Sequence, residues 1–257
     1  MRIKATNQYG NYGTYGFNDY GLALVNVTGL DPARANISTS PIATKDGSIF
    51  TNAQVQNRNI VLTFAVTGPN AEAQRTSIYY IFKVKEPISL EIKTATRTAN
   101  IDGYVENISV DPFNKKQQIQ ISIICPDPYF LGDEETAAVS YPGSYVVTFS
   151  DTSHGAVFEI TASGSVVGGF TIGNTLTGEA FKVNGDYQNG DIITLDTRLG
   201  LKALTLTRNG TTTNILQRMD SETHDWLQLV PYENNYISLS NANLSAVCTY
   251  RTHYEGV

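Results

Sequence analysis

Cysteine is nearly absent from this chain, with only Cys125 and Cys248 in 257 residues. Two cysteines make no disulfide framework. Both are expected as buried free thiols of a protein made in a reducing cytosol. Charge is also thin. Asp, Glu, Lys and Arg supply 16% of the residues, where about 25% is usual. That excludes a charge-driven disordered chain and a coiled coil. Thr, Asn, Ser and Gln fill the gap, and they suit strands with polar outer faces.

Basic residues number 18 against 24 acidic, and no basic run exceeds Lys115-Lys116. Duplex binding works by cancelling phosphate charge, so sequence-specific nucleic-acid recognition is not expected. No apolar stretch approaches the ~18 residues that would span a bilayer, so membrane insertion is not expected either. No apolar run follows Arg2 and Lys4, so no signal peptide is expected. The charge is uneven. Residues 1–135 carry a net −1 and residues 136–257 a net −5.

Chemistry-bearing constellations are missing too. His154, His224 and His253 stand apart, and neither cysteine has a partner at metal-ligand spacing. Ser150-Asp151-Thr152-Ser153-His154-Gly155 holds the residue types of a triad. A triad is a spatial arrangement, however, and this string reads as a polar turn. Glu134-Glu135 and Asp186/Asp191 are the candidate carboxylate pairs for acid–base or metal chemistry. The first falls in a linker-like stretch. The second flanks Asn-Gly turns, where Asp is common for backbone reasons. There is no phosphate-binding glycine loop. Trp226, the only tryptophan, is the one candidate for stacking on a sugar, set against an ordinary half-buried strand residue. No catalytic residue, metal ligand or cofactor is assigned, and binding or assembly is expected rather than catalysis.

What is present is β-prone text. Residues 9–21 alternate Tyr and Gly and predict a loose arm or an irregular first hairpin. Leu22–Val27 and Asn59–Val66 read as strands, with a turn at Asp46-Gly47. One helix is predicted at about 69–83, with Pro69 at its first position, Glu72 in its first turn and Ile78, Ile81 and Phe82 at helical spacing. Strands resume at Ile88–Lys93, Arg97–Val105 and Ile119–Cys125. Residues 131–143 are acidic and turn-rich, and a domain boundary is placed there, giving domains 1–133 and 134–257. Beyond it, short alternating segments recur about every ten residues. They include Tyr145–Phe149, Thr213–Leu216 and Trp226–Leu229, and Asn184-Gly185, Asn189-Gly190 and Asn209-Gly210 lie among them. That pattern predicts a β-sandwich or jelly roll.

Leu24-Val25-Asn26-Val27-Thr28-Gly29-Leu30, Asp46-Gly47-Ser48-Ile49-Phe50 and Arg58-Asn59-Ile60-Val61-Leu62 resemble the start of the distal tail protein (Dit) family of long, non-contractile-tailed phages. The likeness continues through Ile101-Asp102-Gly103-Tyr104-Val105-Glu106 and Gln120–Phe130. In the second half, Gly190–Thr197 and Asp225-Trp226-Leu227-Gln228-Leu229 carry it. The resemblance implies a mainly β protein, with an N-terminal β-sandwich or split-barrel domain bearing one helix and a galectin-like sandwich after it. It implies a structural, non-enzymatic hub, made in the host cytoplasm and mounted in the virion. By that resemblance, six copies form a ring that lets DNA pass. The tail tube protein would sit above it and a tail-associated tail-tip protein below, and receptor-binding or baseplate proteins could dock on the C-terminal domain. The alternative is a lectin-like, carbohydrate-binding module for host adsorption.

Overall fold

The computed structural model describes residues 1–16, 21–112, 114, 117–221 and 226–257. Two compact units emerge, Met1–Gly132 together with Tyr254–Val257, and Asp133–His253. The last four residues thus belong with the first unit rather than with the domain that precedes them in sequence.

In the first unit, β1 (Arg2–Asn7) and β2 (Tyr12–Tyr15) form an antiparallel hairpin. The Tyr-Gly segment is therefore a hairpin as far as Tyr15 and not a loose arm. Tyr15 is buried, and it anchors the hairpin to the core. Next come β3 (Leu22–Thr28), β4 (Ala35–Pro41), β5 (Ser48–Val55) and β6 (Arg58–Val66). After the helix α1 (Ala71–Ile81) follow β7 (Pro87–Lys93), β8 (Thr98–Val110) and β9 (Gln118–Cys125). Seven strands pair antiparallel in the order β2-β1-β7-β8-β9-β6-β3. The Leu24 amide donates to the Gly16 carbonyl at 2.8 Å and draws the two ends of this sheet together.

Period-two alternation builds the core. Ile60, Leu62 and Phe64 of β6 point inward with Ile119, Ile121 and Ile123 of β9, all fully buried. Helix α1 seals one end through Ile78 and Ile81. Phe82, just beyond α1, packs with Tyr15 and Phe64 at ring separations of 5.9 and 6.4 Å, and those two rings stand 4.9 Å apart. The helix is shorter than the spacing predicts. Its N-cap is Asn70, whose side chain accepts the Ala73 amide at 3.1 Å, and Pro69 stands outside the first turn. Strands β4 and β5 pair only with each other, as a separate ribbon turning at Asp46-Gly47.

The expected linker at 131–143 is instead largely a strand, β10 (Phe130–Ser140). Its acidic middle is solvent-exposed, while Gly132 and Val139 are buried. Charge on one stretch of a strand does not prevent ladder pairing.

In the second unit, β11 (Gly143–Val146), β12 (Val157–Ala162), β13 (Phe170–Asn174), β14 (Glu179–Val183) and β15 (Ile192–Asp196) precede β16 (Ala203–Arg208) and β17 (Thr211–Asn214). A short 3-10 turn (Leu216–Arg218), β18 (Asn235–Leu239) and β19 (Leu244–Tyr254) complete the chain. One sheet runs β17-β16-β15-β12-β19-β10 and the other β11-β18-β13-β14. Phe158, Ile160, Phe181, Ile172 and Leu195 fill the space between them. Of the three Asn-Gly pairs, only Asn209-Gly210 makes a two-residue hairpin, both residues having positive φ (51° and 76°). Trp226–Leu229 is not a strand; Leu229 makes one isolated bridge to His154.

Candidate functional site

The candidate catalytic residues sit in structural roles. His154 is buried, with Nδ1 3.0 Å from the Gly155 carbonyl and Nε2 3.1 Å from the Thr148 hydroxyl. These partners place the proton on Nδ1 and make Nε2 an acceptor. Thr148 in turn lies 2.9 Å from the Ser150 hydroxyl, which accepts the His253 amide at 2.9 Å. His253 stacks on His154 with ring centroids 4.6 Å apart. Burial, with a smaller contribution from His253, pushes the His154 imidazole down to about 4, against the pull of the Gly155 carbonyl. Neither imidazole nitrogen of His154 meets a carboxylate, so the group lacks the orienting acid of a triad.

The carboxylates fare likewise. Glu134 and Glu135 are adjacent on β10 and so point to opposite faces. Glu135 accepts the Tyr250 hydroxyl at 3.1 Å. Asp191 is buried and takes Arg208 through both oxygens, along with the Gln188 amide. These bonds, Arg208 first, hold its carboxyl below the usual range. Asp186 instead accepts the Gly168 amide at 2.8 Å. Among the described residues no three His, Cys, Asp or Glu gather as a metal site, and no helix is long and apolar enough to cross a membrane. His224 lies outside the described residues. Trp226 is half-buried against the second core, its ring 5.0 Å from Phe181 and 5.3 Å from the Lys202 ammonium.

Two surfaces of the first unit remain, and neither stands out in the sequence. Every residue of β4 and β5 is exposed, including Ile37 (62%), Ile49 (60%) and Phe50 (62%). A two-stranded ribbon without a core of its own is marginal in water, and exposed apolar groups of this size mark contact surfaces. The second surface is the outward face of β8, β9 and β6. It carries Asp102, Glu106, Gln120, Ser122, Asn59 and Thr63, with no described Lys or Arg among its outward residues. Ser122 Oγ lies 2.8 Å from Glu106 Oε2 and 3.0 Å from Asn59 Oδ1. Basic side chains on this sheet's outer surface lie farther along, at Arg2, Lys4 and Lys93.

This two-unit architecture is that of siphophage tail components. A model described as "Phage tail protein RIFT-related domain" matches residues 12–125, and one described as "Siphovirus-type tail component, C-terminal domain" matches residues 150–254. Between them they account for most of both units. The chain belongs to the Dit family of siphovirus tail components.

No curated protein matches it in sequence. Among solved structures, the fold is similar to SPP1 Dit (gp 19.1), described as a paradigm of the hub adsorption apparatus in phages infecting Gram-positive bacteria. That match has a TM-score of 0.74 at 18% identity, over 97% of this chain and 98% of that one. The phage P2 baseplate in its activated conformation with Ca gives 0.54 at 11% identity, over 100% and 99%. The protein is thus a structural component of a phage tail.

Proposed function

We propose that this protein is the hub at the distal end of the tail, and that six copies close into a ring through their first units. The observation that carries this reading is the β4–β5 ribbon, exposed along its whole length and bearing Ile37, Ile49 and Phe50, which no described residue of the chain buries. Laid on the next subunit, it makes a heterologous, head-to-tail contact, the kind that generates closed rings. Such an obligate contact buries more than ~2,000 Å² per pair.

The ring joins the tail tube protein on one side to a tail-tip protein on the other, and the second unit is free to dock receptor-binding or baseplate proteins. Its work is mechanical rather than enzymatic. DNA crosses the opening, and the β8-β9-β6 face suits the lumen: Asp102 and Glu106 repel phosphate, and the surrounding Ser, Thr, Asn and Gln offer it no cation.

The test is the mass of the purified protein in solution, compared with Ile37→Ser/Phe50→Ser. The wild type is expected as a hexamer and the double variant as folded monomers. A variant that still assembles fully removes the ribbon from the interface.

A further inference from the structure

We infer that the outer face of the β11-β18-β13-β14 sheet is a binding surface for a neutral saccharide chain, built around Tyr145 and Tyr236. The two tyrosines are directly opposed in the register of β11 and β18, with ring centroids 5.0 Å apart and planes at 62°. Tyr145 is 69% exposed. Tyr236 lies down across the neighbouring strand. A Cβ built on Gly143 would stand 2.6 Å from the Ile237 carbonyl oxygen and 2.7 Å from the Cε1 and Cζ atoms of Tyr236, so the Tyr236 ring and the β18 backbone both close on β11 where Gly143 has no side chain. One ring is thus a floor and the other a wall.

The register continues the floor sideways. Gly143 pairs with Ser238, Ser238 with Gly173, and Gly173 with Ala180, a row of the smallest side chains crossing all four strands. Beside a wall of tyrosine, such a row forms a shallow trough. A second edge-to-face pair, Phe149 and Tyr232, follows with Phe149 three residues beyond β11, its ring centroids 6.3 Å apart. Both of its rings are about three-fifths exposed. At the rise of an extended chain, Tyr145 and Phe149 are roughly 13 Å apart. That spacing fits a short oligosaccharide better than a single sugar.

The chemistry selects the ligand class. Aromatic rings with hydroxyls at their tips present an apolar body and a wet end, matching the apolar ring faces and hydroxyl rim of a sugar. The charged side chain among the outward residues of these four strands, Lys182, is paired with Asp220 at 3.2 Å. The face therefore lacks the cations that a nucleic acid or an anionic polymer would need. It carries no Leu, Ile or Met at its centre, unlike the apolar core of a protein interface and unlike the β4–β5 ribbon. The inference does not depend on the ring, because the surface lies wholly within the second unit.

The experiment is titration of the intact protein, in whatever assembly state it adopts, against an array of neutral bacterial cell-wall oligosaccharides. Chitohexaose and maltohexaose serve as defined probes. Binding is expected for at least one glycan, weakened about tenfold or more in Tyr236→Ala and in Tyr145→Ala. Trp226→Phe should retain binding. Unchanged Trp226 fluorescence in the tyrosine variants certifies their fold. No binding to any neutral glycan at millimolar concentration overturns the proposal, as does binding indifferent to Tyr236→Ala. If Tyr236→Ala instead abolishes attachment of a neighbouring tail protein while no glycan binds, the face is a protein dock and the proposal fails.

Discussion

The guanidinium of Arg58 lies over the ring of Phe130, 4.4 Å from its centroid, and serves as a buried clasp of the first unit. Its nitrogens donate to the carbonyls of Pro128 at 2.7 Å, Gly29 at 2.6 Å and Glu255 at 2.6 Å, and also to Asp31. One side chain thereby holds the loop after β3, the turn after β9 and the returning C-terminal segment. Val257 adds a backbone bond to Leu30.

Arg58→Ala is expected to cost about 3 kcal/mol, because several buried carbonyls lose their donor together. Arg58→Lys should recover only part of it, since an ammonium has three donors and no planar face to stack. Hydrogen exchange of the β6 and β9 amides reads the loss. Unchanged protection would show that the clasp is not holding the unit.

The clasp also shows what the sequence conceals. Arg58 heads a strand that alternation reveals plainly, yet nothing local says that this arginine turns inward, because its acceptors come from segments up to 197 residues away. The same holds for Tyr254–Val257. Strands β6, β9 and β12 to β16 were legible because one face of each is buried and apolar. Strands β4 and β5 were not, apart from their turn, because a ribbon exposed on both faces has no inward side to impose alternation. Residues 131–143 misled through composition, since β10 tolerates acidic side chains where it is exposed. The residue type of Trp226 alone suggests a sugar platform; its packing on Phe181 comes from a contact 45 positions distant. Tyr145 and Tyr236 carried no signal, because only the register of β11 against β18 makes them neighbours.

The thiols give a second prediction. Cys125 and Cys248 are fully buried, and burial pushes both up to about 12. Neither presents a thiolate at neutral pH. A thiol-specific chromogenic reagent should label neither in the native protein and both after denaturation. Prompt labelling of the native protein would contradict the buried-core assignment.

Acid stability of the second unit follows from His154. Its folded value of about 4 lies below the ordinary 6.5, so the unfolded chain binds the extra proton between those two values. Stability contributed by the neutral, buried ring is complete above pH 6.5 and falls as pH drops through the window. It is lost in full below about 4, a total of roughly 3 kcal/mol. Urea unfolding followed through Trp226 at pH 7, 5.5 and 4 should show that fall. In His154→Gln the part due to the imidazole disappears. Identical slopes for the two proteins would refute the assignment.

Ring closure is the central claim, and direct imaging of the purified protein tests it most simply. Negative-stain particles, with mass from light scattering on the same sample, are expected to show six-fold rings with an open centre. A uniform population of monomers, persisting at high concentration and in the presence of the adjoining tail proteins, would contradict the account.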